Sequence, residues 1–259
     1  MKHFLIATAS IAALWSGAAA AQDSNDVRVR VGLGGQLQPE FVGADKDDIG
    51  PLFRLDIAHG TEPFKFKAPD YSFGLPIVSS GGFSFGPAAN WDRGRKNSDV
   101  DVPVGRVPWT IEAGGFASYQ VTDSIHLHAE LLKGVNGHKG LIGTIGADQV
   151  WRDGDKYVFS VGPRILFSDG RYQRAYFGVT PAASLASGLP LYRPNGGIHG
   201  VALASGLSTQ FSPQWGLFGY ARYERLVGDA AQSPIVRQLG SRNQLSGGVG
   251  LTYTFTVRR

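Results

Sequence analysis

The last sixteen residues, Gln244 to Arg259, constrain this chain most. Taken two at a time, Leu245, Gly247, Val249, Leu251, Tyr253, Phe255 and Val257 share one face, and Ser246, Gly248, Gly250, Thr252, Thr254 and Thr256 share the other. That is the period of an extended strand. One face is apolar and the other is hydroxyl and glycine, over a run well past the common strand length of roughly 5–6 residues. A strand that crosses a bilayer needs roughly 9–11. Near the start, Val27-Arg28-Val29-Arg30-Val31-Gly32-Leu33-Gly34 alternates as strictly, so two barrel-type strands are expected to pair and close a sheet.

The N-terminus reads as an export signal. Lys2 and His3 precede the apolar run Phe4 to Trp15, and Ala19-Ala20-Ala21 ahead of Gln22 fits a signal-peptidase site. We therefore expect a signal peptide over 1–21 and a single barrel domain over 22–259. No other stretch approaches the 18 or more apolar residues of a membrane helix, so a membrane-spanning form must be a barrel. With no cysteine there is no disulfide and no lipid-modified cysteine to anchor the chain.

Between the terminal strands the alternation recurs: Phe53, Leu55 and Ile57 against Arg54 and Asp56; Phe64 and Phe66 against Lys65 and Lys67; Tyr71, Phe73, Leu75 and Ile77 against Ser72 and Gly74. Further segments fall near 82–92, 109–121, 124–133, 139–151, 155–167, 198–211 and 214–225. The pattern predicts an all-β, transmembrane, antiparallel up-and-down β-barrel of about twelve strands, provided 62–67 and 71–78 are separate strands, and of about ten otherwise. Gln120 to Asp123, Arg152 to Asp155 and Ser212 to Gln214 read as tight periplasmic turns; 93–108, 168–197 and 226–243 read as long extracellular loops. Trp109 and Tyr119, Trp151 and Tyr157, and Trp215 and Tyr223 sit near strand ends, where an interfacial aromatic belt belongs.

If the apolar positions face lipid, their neighbours face the lumen. That assigns Arg28, Arg30, Arg54, Asp56, Glu112, Glu130, Asp148, Lys156, Arg164, Arg222 and Glu224 to a charged interior with both signs in near balance. Opposite charges across a barrel of this width are expected to pair and leave a narrow or closed lumen; a selective channel for small solutes is the alternative. His126-Leu127-His128-Ala129-Glu130 is the most enzyme-like group, but positions i, i+2 and i+4 on a strand spread over roughly 13 Å, too far to converge on one ion unaided. A lumenal hydrogen-bond network is the expectation. No nucleophile elbow, phosphate-binding loop or zinc-protease helix motif occurs, so neither catalysis nor a cofactor is expected. The formal charge of +4 is scattered among acids, which gives no footprint for nucleic acid.

Tyr176-Phe177-Gly178-Val179-Thr180-Pro181 followed by Ala186-Ser187-Gly188-Leu189-Pro190, then Gly228-Asp229-Ala230-Ala231 and Ser233-Pro234-Ile235-Val236, resembles the outer-membrane family of the MltA-interacting proteins and OmpV. Val31 to Gly35, Pro39 and Gly43-Ala44-Asp45 are similar to its opening, and the likeness covers the whole mature chain. The resemblance implies an outer-membrane barrel without catalysis, and a monomer in outer-membrane lipid is the expectation. It also implies a scaffold whose partners are a murein hydrolase (a lytic transglycosylase) and a murein synthase. The 168–197 segment is expected to be either a cap over the barrel mouth, with a short helix opened by Pro181, or a loop packed on itself.

Overall fold

A computed structural model describes residues 26–258 of the 259-residue chain; the expected signal segment lies outside the described residues. One antiparallel sheet contains twelve strands. In chain order they are β1 (Val27–Pro39), β2 (Asp47–His59), β3 (Phe73–Gly74), β4 (Val78–Ser80), β5 (Phe83–Asp92), β6 (Thr110–Thr122), β7 (Ile125–Gly134), β8 (Leu141–Asp153), β9 (Tyr157–Ser168), β10 (Gly197–Gln210), β11 (Trp215–Leu226) and β12 (Asn243–Val257). Four short α-helices lie in the long loops, α1 (Gly170–Phe177), α2 (Pro181–Ser187), α3 (Gly228–Gln232) and α4 (Pro234–Leu239), beside a single 3-10 turn at Asn97–Asp99.

The two terminal strands pair as expected, from Val27 opposite Val257 to Leu37 opposite Gly247. Burial is inverted relative to a soluble sheet. Thr252 and Thr254 are 2% and 6% exposed, whereas Tyr253 between them is 40% exposed and Phe53 on β2 is 72% exposed. An outer surface of alternating Leu, Ile, Phe and Val with hydroxyls and charges inside is complementary to hydrocarbon rather than water. Placing a charge there is correspondingly expensive: Leu251→Arg is expected to cost about 2–4 kcal/mol of folding stability in lipid, read as a lowered denaturant midpoint in vesicles.

One sequence expectation is corrected. Residues 62–67 form no strand, and the run predicted over 71–78 is represented by the short β3 and β4, both paired to β5. The chain turns from β4 into β5 through Gly81 and Gly82, both at positive φ, as a two-residue hairpin requires. Following the antiparallel pairs around the sheet, β2 and β3 run in the same direction, and no backbone pairing joins them among the described residues. The sheet therefore curls into a barrel with a seam between β2 and β3. Two prolines bracket the run that left the wall. Pro63 and Pro69 flank the Phe64 and Phe66 alternation, and each lacks the N–H a paired strand must donate.

At the end away from the termini, the long loops share a core of their own. Phe41 and Ala44 from the β1–β2 loop, Val100, Val104 and Val107 from the β5–β6 loop, Tyr172 to Leu189 from the β9–β10 segment, and Leu226 to Val236 from the β11–β12 loop pack together. Phe177, Ala230 and Ile235 have no exposed surface. Of the two expectations for 168–197, the packing is that of a cap shared by four loops. Asp169 opens α1 by accepting from the N–H groups of Arg171 and Tyr172 at 3.0 and 2.8 Å. Those backbone donors, outweighing its partial burial, hold the Asp169 carboxyl below its usual range. Thr180 caps α2, Pro181 occupies its first turn, and Gly188 ends it at φ 77°.

Candidate functional site: an interior filled by the chain itself

The segment that leaves the wall enters the barrel. After β2 ends at His59, Thr61 to Ser72 runs along the inner face and touches β1 and β7 to β10. At its entry, Arg28 of β1 donates from Nε to the Gly60 carbonyl at 2.9 Å and also donates to the Glu62 carbonyl. The Phe64 N–H donates to Asp155 at 3.0 Å, and Arg152 donates to the Phe64 carbonyl at 3.1 Å. The Phe64 ring lies under the guanidinium groups of Arg30 and Arg28, at 4.0 and 4.8 Å. The alternation at Phe64 and Phe66 thus serves an apolar face that packs on cations and on His126 inside the barrel, not on lipid.

Further along, Asp70 takes both arms of Arg164 at 3.0 Å, and the same guanidinium reaches Asp148 at 2.9 Å. Tyr71 donates its hydroxyl to Asp148, its ring stacks on His128 at 3.8 Å, and Ser72 donates to Glu130 at 3.0 Å. Pro69 crosses Gly206 of β10 so closely that a Cβ there would sit 2.6 Å from the proline ring, so the crossing requires glycine. Five strands, β1 and β7 to β10, and a tight turn therefore hold one internal segment, mostly through charge-assisted bonds.

The sequence-assigned charges are distributed as follows. Arg28, Arg30, Arg54, Asp56, Glu130, Asp148 and Arg164 surround the internal segment, with Arg54 bonded to Asp56 at 2.6 Å. Arg222 and Glu224 pair with each other at 2.5 Å on β11. Lys156 does not face the interior: it lies in the β8–β9 turn with its side chain 78% exposed, because β9 begins at Tyr157, two residues later than the segment read from the alternation. Of the motif loop, Tyr176 and Phe177 are buried in the cap. Gly178 caps α1, Thr180, Pro181, Ser187 and Gly188 build α2 and its ends, and Pro190 is exposed.

His126, His128 and Glu130 do not converge. His126 bonds Gln120 at 3.0 Å and His128 bonds Glu130 at 3.4 Å, each engaged within the interior network. A different trio does converge beneath the cap. Asp92, Glu112 and His138 bring one ligand atom each within 4.8 Å of the others, with Tyr176 donating to Asp92 and Asn90 to Glu112 at 2.8 Å. Only Glu112 was flagged by periodicity, since the grouping depends on how β5, β6 and the β7–β8 turn meet. Its chemistry is that of a hydrogen-bond cluster. The Gly140 N–H donates to His138 Nδ1 at 3.0 Å, so the ring proton sits on Nε2 and points to Glu112 at 2.9 Å, where a metal would need a lone pair. Chelation with EDTA, or addition of zinc, is accordingly expected to leave the thermal midpoint unchanged within about 1 °C. Ser168 and His199 also meet, at 3.1 Å, but both are buried under Tyr172 and Phe177, and among the described residues no acid bonds the imidazole.

Arg95 locks the cap to the mouth. It is 2% exposed, and its guanidinium donates to the carbonyls of Tyr176 at 2.7 Å and Gly105 at 3.2 Å, tying the β5–β6 loop to the end of α1. Burial lowers its pKa to about 10, which leaves it charged at neutral pH.

The family model for the MltA-interacting protein MipA matches residues 31–255, from the first strand to the last. The chain belongs to the MipA family. The match takes in the cap loops and the internal segment as well as the wall. No curated protein sequence matches the chain. Among solved structures, the COG4313 outer membrane channel of Pseudomonas putida F1 is 7% identical, with 93% of this chain and 100% of that one covered and a TM-score of 0.46. The translocator domain of the autotransporter NalP of Neisseria meningitidis is 15% identical over 90% and 89%, at 0.38. Neisserial surface protein A is 9% identical over 88% and 95%, at 0.27.

Proposed function

We propose that this MipA-family barrel is a non-enzymatic outer-membrane scaffold that holds a murein hydrolase and a murein synthase at its periplasmic end. The observation that carries this reading is the doubly closed interior: Thr61 to Ser72 occupies the lumen and the four-loop core covers the mouth. A barrel filled in this way offers its surfaces, not a passage, as working parts. The end bearing the tight turns is the periplasmic one by the usual asymmetry of such barrels. There the exposed Thr61, Glu62 and Pro63, the Asp153 to Lys156 turn and the Phe211 to Gln214 turn form one rim. The family's descriptive name, which states interaction with MltA, supports the choice of partner class.

The test is capture from detergent-solubilised envelope with the folded barrel as bait. Recovery of a lytic transglycosylase together with a murein synthase is expected, as is their loss when Asp153 and Lys156 are changed to Ser and the 211–214 turn is replaced by Gly and Ser. Capture that is unchanged by rim substitutions, or that returns barrel-assembly factors alone, would remove the scaffold reading.

A further inference from the structure

The interior is rich in cations where the internal segment passes β1 and β2. A cavity of about 20 Å³ lies there, lined by Arg30, Arg54, Phe64, Lys67, Ser160 and Ser208 among others. Arg30 is 2% exposed, and its Nε and Nη2 have no hydrogen-bond partner among the described residues. Its nearest acid, Asp56, is 3.8 Å from Nη1 and is already bonded by Arg54 at 2.6 Å. Lys67 forms no ion pair among the described residues; its Nζ lies 5.2 Å above the Phe73 ring. Asp155, the one acid on the cavity wall, is shared by Arg28 at 3.1 Å, Arg152 at 3.7 Å and the Phe64 N–H.

Asp56 and Asp155, with Glu130 as a further acid near Lys67, thus face Arg28, Arg30, Arg54, Lys67 and Arg152. A buried guanidinium with unpaired N–H groups beside an unpaired ammonium is unfavourable unless a counter-charge is present. Space for a water-sized centre begins at about 10–15 Å³, so the cavity takes one compact body and excludes a tetrahedral phosphate or sulfate with its oxygens.

We propose that the cavity is a binding site for a single monovalent anion of halide size, chloride in the natural setting, held by Arg30 Nε and Nη2 and by Lys67, with the Ser160 and Ser208 hydroxyls on its wall. The ion offsets part of the excess positive charge beside Thr61 to Ser72, so anion occupancy and retention of the internal segment are linked. The site rests on the interior geometry alone and stands or falls independently of the partner reading above.

Crystals of the folded full-length barrel soaked in sodium bromide provide the first arm. An anomalous peak between Arg30 and Lys67 is expected; bromide peaks confined to the outer surface would overturn the site. In solution, the thermal midpoint in sodium chloride is expected to exceed that in sodium gluconate of equal ionic strength by about 3–5 °C. Arg30→Met should abolish this increment. Because Arg30→Met also disturbs the Phe64 stack and can impair folding, Lys67→Met carries the same expectation with the increment at least halved. Equal midpoints in the two salts, or a full chloride increment in Lys67→Met, would mean that water fills the cavity and would overturn the proposal.

Discussion

Arg164→Met is expected to destabilise the folded barrel by about 3–5 kcal/mol, a larger loss than any neighbouring substitution. The side chains of Arg164, Asp70 and Asp148 are 1%, 5% and 1% exposed, and the guanidinium neutralises both acids at 2.9–3.0 Å. Removing it leaves two carboxylates facing each other inside the wall. The pair would otherwise contribute little, since desolvation offsets most of the attraction, so the cost comes from the stranded charges. That origin is separable from lost packing. The triple variant Arg164→Met, Asp70→Asn, Asp148→Asn keeps the volume and removes the charges, and should recover most of the loss. Urea midpoints of the three proteins in the same detergent decide the matter. A single variant within about 1 kcal/mol of wild type would show that the triad does not anchor the internal segment.

The wall of this barrel was legible in the sequence because its determinant is one-dimensional. Alternation sustained through Val27–Pro39 and Asn243–Val257 fixes both strand type and which face meets lipid, and the structure pairs those two strands over their length. The internal segment was misread because alternation reports that one face is apolar, not what it packs against. Phe64 and Phe66 keep the period, yet their surface is buried on Arg28, Arg30 and His126. Pro63 and Pro69 at either end of the run carried a contrary signal, since each lacks a donor N–H, but a weak one, because Pro51, Pro87 and Pro163 keep their places in the wall. In the cap, Thr180, Pro181 and Gly188 announce α2 locally, through an acceptor side chain, a preset φ and a left-handed stop. The Asp92, Glu112 and His138 cluster had no such local mark. It forms only once β5, β6 and the turn after β7 are in register, information that no single stretch contains.

The same geometry implies that the interior is shut by the chain's own segment and can be opened by replacing it. The chain has no cysteine, so a single Ser160→Cys substitution is a clean reporter of the interior. Ser160 is 2% exposed and lines the wall beside Pro69 and Gly206. In the otherwise native barrel, a small charged thiol reagent should label this cysteine slowly, at the rate set by local opening. Exchanging Thr61 to Ser72 for a Gly and Ser stretch of equal length removes Phe64, Phe66, Asp70 and Tyr71 without shortening the link to β3, and should raise the labelling rate about tenfold or more. Conductance is expected to need a second change. With the segment exchanged, Phe177, Ile235 and Arg95 still fasten the loops over the mouth, so a planar bilayer should stay silent until the cap is also loosened, for example by Arg95→Ala with Ile235→Ala. The order of these two results carries the argument. Slow labelling converted to fast by the exchange alone places the inner closure at Thr61 to Ser72. Discrete current steps in the exchanged barrel with its cap intact would place the outer closure elsewhere. Fast labelling of the native barrel would show that the segment does not occupy the lumen, and with it would fall the reason for reading this protein as a surface rather than a passage.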